Sequence, residues 1–244
     1  MSKASLAILP LGQDGIVVRF SLYPAPEIAG AVQMFFHEAV RLTIPGIVEI
    51  APGLTSVLLR FDPAKISRAE AMRAMRRLAL AVPDETVSPP LPRRRWTIPA
   101  AFGGRYGPDL ENAAQAAGMT VRAAVTDLTS TELRVLAIGF APGQPYLGLL
   151  PKHWDFPRQA HLTPRVPAGA IVAAVRQLVL FSSDSATGWR QVGQAAFRPF
   201  QPQADTPFPL RPGDALRFAA VDHGTFETLE ASGTDGGGAC CEML

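Results

Sequence analysis

The sequence predicts an α+β chain in which a small helix-covered sheet is followed by a β-barrel. Three observations carry this. Apolar patterning over residues 15–82 runs strand, helix, strand, strand, helix. A proline-rich stretch, Val82–Pro92, then interrupts the chain. From Leu133 onward the patterns are short strands set apart by glycine and proline turns, as in barrels. The predicted division is an N-terminal α+β domain over residues 1–88, a barrel domain over residues 93–222 and a flexible, polar, glycine-rich tail over residues 223–244.

The elements follow in order. Gly15–Phe20 reads as a strand. Glu27–Leu42 places Ile28, Val32, Phe35, Phe36, Ala39 and Leu42 on one helical stripe, and Pro45-Gly46 stops it. Ile47–Ile50 and Thr55–Phe61 are strands joined by the turn Ala51–Leu54. Ser67 with Glu70 three residues on forms a capping box. The helix it opens turns Met72, Met75, Ala79 and Val82 inward and Arg73, Arg76 and Arg77 to solvent. With a closing strand near Trp96–Ile98, the order fits a split β-α-β, ferredoxin-like layer.

In the second half, Thr97–Phe102 is a strand and Gly103-Gly104 a turn. One helix starts at Tyr106–Asp109 and ends at Gly118, and Thr120 caps another that ends near Leu128. Strands are predicted over residues 133–140, 170–175, 177–182, 189–197 and 214–221. The loop Ala141–Pro151 and the Pro-Arg pairs at 157–158 and 164–165 lie between them. An ordered connection so rich in glycine and proline is usually functional.

Composition excludes several classes. No run approaches the roughly 20 apolar residues of a membrane span. The apolar stretch after Lys3 is broken by Pro10, Gly12 and Asp14, so no secretory signal is read and a cytoplasmic protein is expected. A net charge of +2 gives no case for nucleic acid. Cys240 and Cys241 are adjacent, which suits neither a disulfide nor a zinc site. His37, His153, His161 and His223 lack metal-ligand spacing, so no metal is expected. There is no phosphate loop and no nucleophile elbow.

The polar residues of the central stretch suggest binding of a carboxylate beside an amide. Arg158 and Arg165 suit a carboxylate or carboxyphosphate held in two-pronged fashion. Gln144, Tyr146, Gln177 and Ser185 suit an amide or ureido group, and Asp184 is the candidate base. The backbone amides of Gly143 and the 185–188 turn suit an oxyanion. The structural alternative is that the arginines tie loops to backbone carbonyls and Trp189 is core.

The run Gly139-Phe-Ala-Pro-Gly-Gln-Pro-Tyr-Leu-Gly148, with Pro157-Arg158, Pro164-Arg-Val-Pro-Ala-Gly169, Gln177, Gly188-Trp189 and Val192-Gly193, resembles the allophanate hydrolase subunit 1 family. That family is also called carboxyltransferase domain subdomain C/D, and it includes the B subunit of 5-oxoprolinase and a sporulation kinase inhibitor. Pro45–Glu49, Ser56–Pro63 and Tyr106–Leu110 extend the resemblance, which covers roughly residues 8–221. It implies a C-terminal cyclophilin-like barrel and a composite site with a subunit 2/C partner. In the 5-oxoprolinase branch it implies a third, LamB/YcsF-type subunit and ATP-dependent opening of 5-oxoproline. The ATP would belong to the assembled enzyme, with no cofactor bound by this chain alone. The alternative branch implies a regulatory protein that inhibits a sensor histidine kinase. Gln144 stands where the family often has Phe, and Val175 where it often has Gly.

Overall fold

The computed structural model describes residues 6–82 and 90–244. The chain divides into two units, Met1–Leu91 and Pro92–Leu244. Residues 83–89 of the predicted linker, the predicted edge at residue 88 and Lys3 lie outside the described residues.

The first unit holds β1 (Ala7–Leu11), β2 (Gly15–Arg19), α1 (Pro26–Leu42), β3 (Ile47–Pro52), β4 (Ser56–Phe61) and α2 (Arg68–Ala81). Its sheet has the order β1-β2-β4-β3, antiparallel throughout. The split β-α-β is there: β2 and β3, joined through α1, flank β4. The closing strand differs from expectation. The edge beside β2 is filled by β1 from the N-terminal side, and residues 96–98 belong to the second unit. Pro10 hides β1 in the sequence, yet a proline is tolerated at a sheet edge because no ladder donor is needed there.

The helices form for the reasons the pattern gives. Ile28, Val32, Phe35 and Ala39 of α1 and Ala71, Met75 and Ala79 of α2 are buried with Ile16, Val18, Val57 and Leu59. Leu42 departs from the predicted stripe and is exposed. The capping box is formed: the Glu70 amide donates to Ser67 Oγ at 3.3 Å, and the Ser67 amide donates to the Glu70 carboxylate at 3.1 Å.

The second unit is a barrel. It contains β5 (Arg94–Phe102), α3 (Leu110–Ala116), α4 (Val121–Ser130), β6 (Leu133–Ile138), β7 (Pro145–Gly148), β8 (Thr163–Val166), β9 (Ala170–Ala174) and β10 (Gln177–Leu180). Then come β11 (Ser185–Thr187), β12 (Arg190–Ala195), β13 (Ala215–Ala220), α5 (His223–Ala231) and β14 (Cys240–Met243). The strand order β12-β9-β10-β7-β6-β13-β5 closes on itself through β12–β5 pairing. Closure covers the end of β5 with β12 and leaves only its first half as an edge. Ile98, Leu133, Val135, Leu147, Ile171, Leu178, Leu180, Leu216 and Phe218 belong to its core, with Leu110 and Leu128 from the helices.

Two expectations are corrected. Ala141–Pro151 is not all loop, because β7 lies inside it and pairs with β6 and β10. Residues 223–244 are not a free tail. Asp222 caps α5 by accepting the Thr225 amide at 2.9 Å, and Phe226 is fully buried against Ala101, Tyr106 and Ala196. Strand β14 then pairs with the first half of β5. Among the described residues no helix is long and apolar enough to cross a membrane.

Candidate functional site

Strands β9 and β10 form a hairpin whose two turn residues, Val175 and Arg176, both have positive φ, 45° and 62°. Such a turn normally asks for Asn-Gly. Here it is held from outside: the Val175 amide donates to Phe156 O at 2.9 Å and the Arg176 amide to Trp154 O at 3.1 Å. The hairpin sets the face of β10. Leu178 and Leu180 enter the barrel core, so Gln177 and Val179 point to the other side.

On that outer side lies a pocket of about 210 Å³. Tyr146, opposite Val179 on β7, forms one wall and Trp189 another, their ring centroids 6.3 Å apart at 74°. Gln144 sits at the base and is only 1% exposed. Among the described residues its Oε1 has no hydrogen-bond partner. The residue is placed by the loop before β7, where the Gly139 amide donates to Gln144 O at 3.0 Å. Gly143 makes the bend with φ 71°, and a Cβ there would stand 2.4 Å from Pro199 O.

Arg158 lies with its guanidinium carbon 5.3 Å from the Trp189 ring centroid, a cation–π contact. The segment carrying it is fastened at both sides. Arg190 donates to Pro157 O at 2.7 Å, and the Gln159 amide donates to Gly188 O at 2.6 Å. Thr187 Oγ1 accepts the Trp189 amide at 3.1 Å and so fixes the backbone that carries the indole. The rim is apolar: Phe140, at φ 73°, is 79% exposed, and Leu162 is 68% exposed.

Of the predicted site residues, Gln144, Tyr146 and Arg158 meet in this pocket. Arg165, Asp184 and Ser185 do not line it; they sit on the β8–β11 ribbon. Arg165 and Asp184 pair with each other, and the Asp184 carboxylate also accepts the Ala168 amide at 2.9 Å. That amide bond first, and Arg165 second, hold the Asp184 carboxyl below the usual carboxylate range. A carboxylate so committed is a poor proton acceptor. Gln177 shares the outer face of β10 but pairs opposite Gly148, beyond the pocket, with Nε2 buried and unpartnered. Trp189 is a wall of the site rather than barrel core. Phe140, Phe181 and Thr187 also line the pocket and were not among the predicted binding residues. Among the described residues, no cluster of three or more His, Cys, Asp or Glu side chains is arranged to hold a metal ion.

The barrel with its flanking helices fits the cyclophilin-like fold, in an α+β chain that carries a separate four-stranded sheet. The chain belongs to the family described as carboxyltransferase domain, subdomain C and D, whose sequence model matches residues 6–210. It is 29% identical over 222 residues to the B subunit of 5-oxoprolinase from Bacillus subtilis (strain 168), covering 86% of this chain and 91% of that one. It is 31% identical over 216 residues to the B subunit of 5-oxoprolinase from Escherichia coli O157:H7, covering 88% and 95%. Among solved structures it is similar to TTHA0988, with a TM-score of 0.69 and 29% identity over 85% of this chain. It spans 40% of the TTHA0988 chain.

Proposed function

We propose that the chain is the B subunit of a multi-component amide hydrolase of the 5-oxoprolinase type. The observation that carries this is the likeness to B subunits over nearly the whole of both chains. The pocket supports it in two ways. It is small and aromatic-walled, and it holds an amide and a cation, groups suited to a small cyclic amide with a carboxylate. It also lacks any Asp, Glu, His, Lys or Cys among its lining residues, so beyond the Tyr146 hydroxyl the acid–base groups come from elsewhere. A partner of the subunit 2/C type over the Phe140–Leu162 rim, together with a third, LamB/YcsF-type subunit, would supply those groups and the ATP site. In the net hydrolysis the lactam C–N bond breaks, water's hydroxyl joins the carbonyl carbon, and its proton goes to the ring nitrogen.

The test is reconstitution. This chain, a cognate subunit 2/C partner and the third subunit are purified separately and mixed with ATP and 5-oxoproline. Glutamate should form only with all three present. Absence of both complex and turnover, or turnover without this chain, overturns the reading. So does tight binding to a sensor histidine kinase with no turnover in any mixture.

A further inference from the structure

We propose that this chain by itself is the carboxylate-reading component of the assembly: the pocket binds a compact monoanion bearing an amide N–H, with its carboxylate on Arg158 and its N–H donated to Gln144 Oε1. The proposal rests on the reading above and adds the recognising atoms.

Four observations converge. First, among the described residues Arg158 has no carboxylate partner, and its guanidinium faces the Trp189 ring. A guanidinium placed over a ring in this way keeps N–H donors available for an anion. Second, Gln144 Oε1 is a buried acceptor without a donor. Leaving such a group unpaired is unfavourable, and a ligand N–H at the pocket base removes that cost. Third, among the described residues no acidic side chain lines the pocket, which favours an anion there. Fourth, at about 210 Å³ the space falls below the range of roughly 300–1,000 Å³ typical of drug-sized ligands. A five-membered ring fits a space of this size, whereas a nucleoside triphosphate does not. The nucleotide therefore binds outside this pocket, and the small substrate can bind here without it.

The experiment is calorimetric or NMR titration of the full chain alone, without ATP, with three probes: 5-oxoproline, 2-pyrrolidinone and cyclopentanecarboxylate. The first should bind saturably. Loss of the carboxylate in 2-pyrrolidinone and loss of the amide in cyclopentanecarboxylate should each weaken binding. Arg158→Gln should weaken 5-oxoproline about 10- to 100-fold, the loss of one charge-assisted contact, while leaving 2-pyrrolidinone unaffected. Gln144→Leu should weaken 5-oxoproline and leave cyclopentanecarboxylate unaffected, with a melting temperature no lower than that of the parent. Equal affinity for all three probes overturns the assignment, as does unchanged 5-oxoproline affinity in a folded Arg158→Gln. No saturable binding to a chain that supports turnover in the three-part mixture sinks the pocket and spares the assembly. Binding to a chain that assembles with nothing does the reverse.

Discussion

Arg165 donates its Nε to Asp184 at 2.8 Å across the β8–β11 ribbon, and the same carboxylate takes the Ala168 amide. The pair shapes a turn and leaves the chemistry to other groups. Asp184→Asn is therefore expected to keep near-parental turnover in a reconstituted assembly. Both side chains are exposed, so the stability loss should be about 1 kcal/mol or less. The pH dependence has a definite sign. Because the folded state depresses the carboxyl, its contribution is complete above the ordinary value of 3.8 and is lost as pH falls through the folded value. Thermal melts of parent and variant should converge in strong acid and differ near neutrality. A large loss of turnover with normal folding would restore Asp184 as the base.

Gly143→Ala tests the pocket floor. The new Cβ meets Pro199 O at 2.4 Å from a φ of 71°. A destabilisation of about 2 kcal/mol or more is expected from the strained backbone and the clash. Measured by denaturant titration, a smaller effect than Ala at an exposed helix position would show that the 139–144 loop moves freely.

Asp214→Ala removes the partner of Arg94, whose Nε donates to it at 2.9 Å with the Asp214 side chain only 7% exposed. It also frees the Arg211 amide, held at 2.8 Å. Arg94 keeps the Pro209 carbonyl at 3.0 Å, so losing the carboxylate beside this part-buried guanidinium should cost about 1–3 kcal/mol. Asp214→Asn, which keeps an acceptor, should recover part of this in the same chemical melt.

Removal of residues 223–244 should lower stability and solubility together. It uncovers the site filled by Phe226, worth about 1.5–3 kcal/mol, and exposes the edge of β5 that β14 covers. Unaltered melting and no aggregation would show that α5 and β14 are dispensable.

Much of this was legible in the residues, for identifiable reasons. Ala170–Ala174 and Leu178–Leu180 are continuous apolar runs because both of their faces are covered, and that pattern survives in one dimension. The α2 start was legible because a capping box is local. Strands β1, β7 and β8 were not, since Pro10, Pro145 and Pro164 read as breaks although each strand tolerates its proline. Strand β14 is wholly exposed, so it carries no apolar alternation at all. Helix α5 carries only a weak apolar stripe, with Phe226 its one buried residue. At the site, Gln144, Tyr146 and Arg158 stood out as polar groups among glycines and prolines. The pairing of Arg165 with Asp184 depends on the register of two short strands, which spacing along the chain does not encode.

The last hydrogen bond of the second unit joins its two ends: the Leu244 amide donates to Arg93 O at 3.0 Å. A bridging peptide of a few residues could therefore link these positions, and new termini could be opened in a surface loop such as 201–206. The barrel is thus a candidate for circular permutation, with a fused reporter or affinity handle entering at that loop.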